Sequence, residues 1–218
     1  MKKTNNPHLN LLNINYEIYF QNTIKSRFKD TKDTISILDI GGGYRADCKK
    51  LFDNYNISYN VLDIEIQNVV DGINYIKGDI TDVNLKLNNT YDVIITKDTF
   101  EHILNPWDAT QNIIDNLKEN GIFIFLAPFS WRYHAYPYDT FRYTHVGAQY
   151  LFERLGKLKK IESGYYYSSF ETSGRFKNNK DRTLDNKPYK NCIACIYIAK
   201  KDSNHKFNIK DLDVNKEG

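Results

Sequence analysis

The sequence has 218 residues, of which 41% are hydrophobic and 26% are charged. This length suffices for one domain with a substantial core, and the composition excludes disordered and fibrous proteins. A net charge of +3 is too small to indicate a dedicated nucleic-acid-binding protein, which usually concentrates its basic residues on one face.

The N-terminal segment, residues 1–33, is predicted to form a helical cap. Apolar residues recur there at roughly helical spacing, from Leu9 and Leu12 to Ile24 and Phe28. The segment lacks the unbroken apolar stretch of a secretory signal, and no later run is long enough for a membrane span. We therefore expect a cytoplasmic protein.

Short apolar runs begin at residue 34 and alternate with stretches of helical character. The runs are TISILDI, ISYNVLDI, INYIKGDI, YDVIITKD and GIFIFLAP. Such runs, when joined by helices, are typical of a parallel sheet that is covered on both faces. A further helix is predicted from residue 106 to 118, ended by Asn120 and Gly121.

The last third of the chain is predicted to hold one helix and two strands. The helix covers residues 146–155, and β-like runs follow at 161–170 and 192–199, separated by a polar loop. The last run contains a C-x-x-C, Cys192 and Cys195. Residues three apart on a strand point to opposite faces, so this pair predicts neither a redox site nor a metal site.

Three consecutive glycines, Gly41 to Gly43, follow the run TISILDI. Glycine lets the chain turn tightly while the backbone comes close to a ligand, so we expect a nucleotide-like cofactor over this turn. Gly41, Gly43 and Ala46 also satisfy the G-x-G-x-x-A pattern, which keeps a nicotinamide dinucleotide open as the cofactor.

Acidic residues at the ends of the apolar runs favour S-adenosylmethionine over a dinucleotide. Asp63 lies where a carboxylate can bind both ribose hydroxyls of either cofactor. Asp79 can hold the exocyclic amine of adenine, and Asp39 precedes the first glycine. S-adenosylmethionine lacks a pyrophosphate but carries an ammonium and a sulfonium, which nearby carboxylates attract.

From about residue 35 to 128 the sequence resembles the class I S-adenosylmethionine-dependent methyltransferases, in the small-molecule branch that carries an acid followed by Glu-His. The matching stretches are Asp39 to Gly43, Asp63, Asp79, and Lys97-Asp98-Thr99-Phe100-Glu101-His102-Ile103. The resemblance implies a Rossmann-like α/β fold over residues 34–200, with a seven-stranded, mostly parallel sheet, helices on both faces and an antiparallel last strand. A polar tail at 201–218 follows.

By this resemblance the cofactor is S-adenosylmethionine. The implied binding residues are Asp39, Gly41, Gly43, Asp63, Ile64, Asp79, Ile80, Lys97 and Asp98. Lys97 and Asp98 would lie beside the methionine moiety, and Glu101 and His102 near the mouth of the site. Glu101 and His102 can also be a structural hydrogen-bonded pair that opens a helix.

Residues 128–145 are the predicted acceptor segment, because they follow the strand GIFIFLAP at the edge where open α/β sheets bind ligands. A hydroxyl acceptor needs a base, and His134 is the preferred candidate, with Asp139 as a second catalytic candidate. The candidate substrate ligands are His102, Arg132, Arg142 and His145, and Arg132 suits a phosphate or carboxylate. Asp139 and Arg142 can instead pair with each other, and no metal site is predicted.

The acceptor segment also resembles a stretch of bacterial methyltransferases encoded among surface-polysaccharide genes. The shared residues are Trp131, His134, Pro137, Asp139, Phe141, Arg142 and Thr144. This implies a saccharide, nucleotide-linked or phosphorylated small-molecule acceptor. Tyrosines of the segment can offer it flat faces, although such tyrosines more often serve packing.

Other functions stay open at this stage. These are an N-methyltransferase of another small metabolite and an NAD-dependent oxidoreductase, although the Tyr-x-x-x-Lys pair of hydride-transfer enzymes is missing after YDVIITKD. The intact acids disfavour a binding protein without chemistry. A nucleic-acid methyltransferase is disfavoured by the lack of an Asn-Pro-Pro-Tyr motif. The oligomeric state is left open.

Overall fold

A mixed sheet forms the centre of the protein in the computed structural model, which describes residues 11–12, 16–44, 46–131, 133–134, 137–169 and 191–212. The strands are β1 (Leu11–Leu12), β2 (Ile35–Ile40), β3 (Ile57–Asp63), β4 (Asn74–Lys77), β5 (Tyr91–Lys97), β6 (Leu117–Ser130), β7 (Leu158–Ser169) and β8 (Asn191–Lys201). The helices are α1 (Tyr16–Phe28), α2 (Pro106–Asn116) and α3 (His145–Glu153), with 3₁₀ turns at Lys49–Phe52, Phe100–His102 and Ile209–Asp211.

The strand order is β1-β7-β8-β6-β5-β2-β3-β4. Strands β2 to β6 are mutually parallel, and β8 lies antiparallel between β6 and β7. The predicted Rossmann-like sheet of seven mostly parallel strands, with the last one antiparallel, is therefore confirmed. β1 adds two residues at one edge, where it pairs with β7. Leu12 belongs to this strand, so its assignment to the first helix was wrong.

Both faces of the sheet are covered by helices. On one face Ile113 of α2 and Phe152 of α3 join a buried cluster that includes Leu38. On the other face Phe20 of α1 packs with Ile37. Neighbouring residues of a strand point to opposite faces, so a strand buried on both sides needs an unbroken apolar run such as ISILDI.

The expected alternation of strands and helices holds only in part. The connections at residues 64–73 and 78–90 are fully described, and neither contains a helix. α2 begins at Pro106, as predicted, but it ends at Asn116 because the chain enters β6 directly. Asn120, expected to stop the helix, lies in β6 with a φ of 63°, where the pairing with β5 shifts register.

The C-terminal elements lie close to their predicted positions. Thr144 caps α3, since its hydroxyl accepts a hydrogen bond from the Gly147 amide at 2.9 Å. Part of the predicted tail packs on α3, where Gln149 donates to the Asp211 carbonyl at 3.1 Å. The predicted polar loop before β8 lies outside the described residues, and so does the side chain of Cys192. Cys195 is fully buried.

The order in which the chain adds strands to the sheet reverses between β2 and β5, although these two strands are parallel. The chain runs outward from β2 through β3 to β4, then returns to β5 on the other side of β2 and continues to β6. Open α/β sheets bind ligands at such a switch point, beyond the carboxyl ends of the strands. Among the described residues, no helix combines the length and apolarity that crossing a membrane requires.

Candidate active site

The glycine turn after β2 touches the loop after β5. Gly41 and Gly43 have φ of 71° and 55°, a conformation that favours glycine. A Cβ on Gly41 would lie 2.3 Å from Cγ2 of Thr99, and the Thr99 hydroxyl donates to the Ile40 carbonyl at 3.2 Å. The two loops that flank the switch point are therefore packed directly on each other.

Asp39 lies beneath the glycine turn and is only 1% exposed. Its Oδ2 accepts a hydrogen bond from the Tyr59 hydroxyl at 2.7 Å, and a Cβ on Gly42 would lie 2.4 Å from the same oxygen. Asp39 was expected to attract a positively charged ligand. In the structure its carboxyl is enclosed and shapes the turn. Burial raises the pKa of Asp39 to about 7, although the Tyr59 hydrogen bond acts in the opposite direction.

The raised pKa of Asp39 predicts a specific pH dependence of stability. An unfolded Asp loses its proton near pH 4, whereas the folded protein keeps it to about pH 7, so stability is lost as the pH rises between these values. We expect Asp39 alone to lower the free energy of unfolding by up to roughly 4 kcal/mol over this range. Asp39→Asn should flatten this slope, as measured by urea unfolding from pH 4 to 7. An equally steep slope in the variant would contradict the assignment.

Asp63 ends β3 and reaches across to the glycine turn. Its Oδ2 accepts a hydrogen bond from the Gly43 amide at 3.1 Å, and its Oδ1 accepts one from the Glu65 amide at 3.2 Å. The next residue, Ile64, is 54% exposed. This arrangement suits a nucleoside, since the Asp63 carboxylate can bind the ribose hydroxyls and the exposed Ile64 side chain can contact the flat base.

Asp79 and Ile80 follow β4 and differ in exposure. Asp79 is exposed, and its Oδ1 accepts hydrogen bonds from the amide and hydroxyl of Thr81, both at 2.8 Å. Ile80 is 5% exposed, and its carbonyl accepts from the Asn112 amide group at 2.7 Å. The Asp79 carboxylate is thus open to solvent at the strand edge, whereas the Ile80 side chain belongs to the core.

Lys97 and Asp98 end β5 in an unusual backbone conformation. Asp98 has a φ of 53°, which is uncommon for a residue other than glycine and concentrates at functional sites. Lys97 pairs with Asp98, with 2.7 Å between Nζ and Oδ2, and its ammonium lies 5.8 Å from the ring centre of Tyr16. The start of α1 therefore borders this strand end.

A buried carboxyl group lies between two histidines just beyond Asp98. Glu101, in the 3₁₀ turn Phe100–His102, has a side chain that is 0% exposed. Its Oε1 lies 3.7 Å from Nε2 of His102 and 3.9 Å from Nε2 of His134. Neither carboxyl oxygen accepts a hydrogen bond from any residue that the structure describes. Burial raises the pKa of Glu101 to about 8, with a further contribution from the charge of Asp98.

The acceptor segment is bound to this turn through the backbone. The Thr140 amide and hydroxyl donate to the Glu101 carbonyl at 2.7 and 3.0 Å. The Tyr143 hydroxyl donates to the Phe100 carbonyl at 3.1 Å, and His102 Nδ1 donates to the Tyr138 carbonyl. These bonds bring His134 next to His102, with 5.0 Å between the two ring centres.

Asp139 and Arg142 pair with each other, which was one of the two possibilities left open by their spacing. The guanidinium donates to both carboxylate oxygens, at 2.5 and 2.8 Å. The same carboxylate accepts from the His134 amide at 2.7 Å and lies 3.3 Å from His134 Nδ1. The hydrogen bonds from Arg142 lower the pKa of Asp139 to about 2. Asp139 is thus a fixed negative charge that orients His134.

The other predicted substrate ligands are placed differently. His145 is the first residue of α3, and its ring packs edge-on against Tyr165, with 5.2 Å between the centres. Arg132 lies outside the described residues. Glu101 was expected near the mouth of the site but was given no binding or catalytic role, and it is central to the cluster that it forms with His102 and His134. The Glu-His dipeptide was its only signal in the sequence.

Comparison with known proteins identifies the family. A family model described as "Methyltransferase domain" matches residues 15–167. No curated protein matches the sequence significantly. Among solved structures, the chain is similar to BH2331 from Bacillus halodurans (TM-score 0.60, 11% identity, 86% of this chain and 99% of that one). It is also similar to YcgJ from Bacillus subtilis (TM-score 0.59, 13% identity, 84% and 98%).

A third similar structure contains a cofactor product. This is the N-methyltransferase NodS from Bradyrhizobium japonicum in complex with S-adenosylhomocysteine (TM-score 0.53, 11% identity, 84% of this chain and 86% of that one). Our chain belongs to the methyltransferase-domain family. It is a class I S-adenosylmethionine-dependent methyltransferase, and the glycine turn with Asp63 and Ile64 fits that cofactor.

Proposed function

We propose that this methyltransferase modifies a hydroxyl group of a small molecule, a saccharide or a nucleotide-linked or phosphorylated compound used in cell-surface polysaccharide synthesis. The observation that carries the proposal is the position of His134. It is held by Asp139 beside Glu101 and His102, on the loops that follow β5 and β6. These loops lie at the same edge of the sheet as the glycine turn.

Exposed aromatic side chains on the acceptor segment support a sugar-containing acceptor. Tyr133 is 73% and Tyr138 is 52% exposed, whereas Tyr143 and Tyr165 are buried and serve packing. Exposed aromatic rings can stack on the apolar face of a sugar while their hydroxyls form hydrogen bonds. Arg132 is the proposed contact for an anionic group, since the guanidinium of Arg142 is engaged by Asp139.

The proposed chemistry is an in-line displacement, for which alignment of the reacting atoms is the main requirement. S-adenosylmethionine supplies a methyl group activated by its sulfonium. The acceptor oxygen forms a bond to the methyl carbon as the carbon–sulfur bond breaks, and the hydroxyl proton must leave. His134 is the proposed base, because Asp139 lies against its Nδ1 and leaves Nε2 directed into the cluster.

The proposed cofactor contacts come from the ends of four strands, β2, β3, β4 and β5. The backbone of Gly41 and Gly43 would pass over the cofactor, and Asp63 would bind the ribose. Asp79 and Ile64 would border the adenine, and Lys97 and Asp98 the methionine part. Within the predicted cap, residues 1–33, the contact between Tyr16 of α1 and Lys97 supports a position of this helix beside the methionine part. A cytoplasmic location remains a prediction.

His134→Ala is expected to leave cofactor affinity within twofold and to slow turnover by about 100- to 10,000-fold, the usual contribution of a general base. Calorimetry with S-adenosylhomocysteine and an initial-rate assay measure the two effects. His205→Ala, a change on the chain after β8, serves as the matched control. Unchanged turnover in His134→Ala would remove His134 as the base.

The proposal is tested by titration followed by an acceptor screen. S-adenosylhomocysteine should bind the purified protein and NADH should not. Radiolabelled S-adenosylmethionine is then incubated with nucleotide sugars, sugar phosphates and small amines. Label transferred to a sugar hydroxyl supports the proposal. Transfer only to amines would replace it with N-methylation, and binding of NADH alone would contradict the family assignment.

A further inference from the structure

Glu101 is in an environment that a lone carboxylate does not tolerate well. Its side chain is completely buried, and neither oxygen accepts a hydrogen bond from a described residue. A buried charge of this kind is costly unless it is paired or bound to a metal ion. Nε2 of His102 and Nε2 of His134 lie 3.7 and 3.9 Å from its Oε1, which is beyond hydrogen-bond distance.

The two histidines are oriented as metal ligands usually are. His102 donates from Nδ1 to the Tyr138 carbonyl, and His134 has its Nδ1 3.3 Å from the Asp139 carboxylate. Metal-binding histidines typically use one ring nitrogen for such an outer contact, which fixes the tautomer and directs the other nitrogen to the ion. Here each ring directs Nε2 towards Glu101.

We propose that Glu101, His102 and His134 form a binding site for one divalent transition-metal ion. Their ligand atoms all lie within 4.8 Å of one another. Tetrahedral bonds of about 2.0–2.2 Å to a common ion place ligand atoms roughly 3.4 Å apart, so these atoms must move closer together when the ion binds. Two imidazoles and one carboxylate suit ions such as Zn²⁺ better than Mg²⁺ or Ca²⁺, which prefer oxygen ligands.

The site would leave coordination positions open. Three protein ligands are characteristic of catalytic rather than closed structural sites. These positions would accept an oxygen of the proposed acceptor, and this consequence rests on the proposed function. With the ion bound, His134 would be a ligand instead of a base. The existence of the site is independent of that function, so its test needs neither cofactor nor acceptor.

The test is a calorimetric titration of the metal-free full-length chain with Zn²⁺. One equivalent should bind, at least tenfold more tightly than Mg²⁺. Glu101→Gln should weaken Zn²⁺ binding at least 100-fold. Asp139→Asn keeps all three ligands but removes the negative charge beside His134 and Arg142, and it should weaken binding about 10- to 100-fold. A Cys192→Ser background removes the C-x-x-C pair as a competing zinc ligand.

Two controls separate this site from adventitious binding and from misfolding. His205→Ala should bind Zn²⁺ like the parent protein. Zn²⁺ should raise the thermal unfolding midpoint of the parent protein but not that of Glu101→Gln. Without metal, Glu101→Gln should be at least as stable as the parent, since the substitution removes an uncompensated buried carboxyl. The proposal is overturned if the parent binds no Zn²⁺ or if Glu101→Gln binds it equally well. Binding of S-adenosylhomocysteine to the metal-free protein is measured separately, because it tests the cofactor site and not the metal site.

Discussion

Asp63→Ala should weaken the binding of S-adenosylhomocysteine by roughly 10- to 150-fold for each hydrogen bond lost. A charge-assisted hydrogen bond contributes about 1.5–3 kcal/mol, and a ribose offers two hydroxyls to the carboxylate. The same carboxylate accepts the Gly43 amide, so the substitution also loosens the glycine turn. Calorimetry on the purified variant measures the change in affinity.

Two companion variants distinguish lost ribose contacts from a disturbed turn. Asp63→Asn keeps an oxygen that can accept a hydrogen bond from the Gly43 amide, but it removes the negative charge. It should therefore bind S-adenosylhomocysteine more weakly, with little change in the free energy of unfolding. Asp71→Ala removes an exposed carboxylate from the following connection and should bind normally. If Asp63→Ala retained full affinity, the assignment of Asp63 to the ribose would be wrong.

Gly41→Ala is expected to lower the free energy of unfolding by about 2–5 kcal/mol. Forcing a side chain into the left-handed conformation costs about 1–2 kcal/mol, and overpacking adds about 1–3 kcal/mol. The added Cβ would meet Thr99 at 2.3 Å, against the loop after β5. Urea unfolding gives the stability, and calorimetry shows whether cofactor affinity falls with it.

Gly43→Ala is the matched comparison for this effect. Gly43 also has a positive φ, but a Cβ there would meet nothing within 4 Å. Its cost should therefore be the backbone strain alone, about 1–2 kcal/mol. The open space beside it is where we expect the cofactor, so this variant should lose affinity out of proportion to stability. Equal destabilisation by both variants would contradict the contact between Gly41 and Thr99.

The strands were predictable because their signal is local. An unbroken apolar run such as ISILDI forms a strand whose two faces are both buried. Strand β2 begins one residue later than the predicted run. The end of α2 was less predictable, because Leu117 pairs with Tyr91 on a strand distant in sequence. A tertiary contact therefore ended the helix before Asn120 could do so.

The positions of single candidate residues at strand ends were predictable, but the arrangement of their side chains was not. Asp63, for example, was expected at the end of a strand, and it ends β3. The spacing of Asp139 and Arg142 allowed either pairing or ligand binding, and only the folded loop decides between them. The burial of Glu101 depends on a segment that returns almost 40 residues later to hydrogen-bond to its backbone. No local pattern in the sequence contains that information.

The packing of Gly41 on Thr99 connects the regions that we propose to bind the cofactor and the acceptor. Most of the proposed cofactor contacts follow β2, β3 and β4, whereas the turn that carries Glu101 begins next to Thr99. Ordering of one loop should therefore lower the entropy cost of ordering the other, so the two ligands are expected to bind cooperatively. Because such coupling is reciprocal, S-adenosylhomocysteine should tighten acceptor binding by the same factor by which the acceptor tightens the binding of S-adenosylhomocysteine.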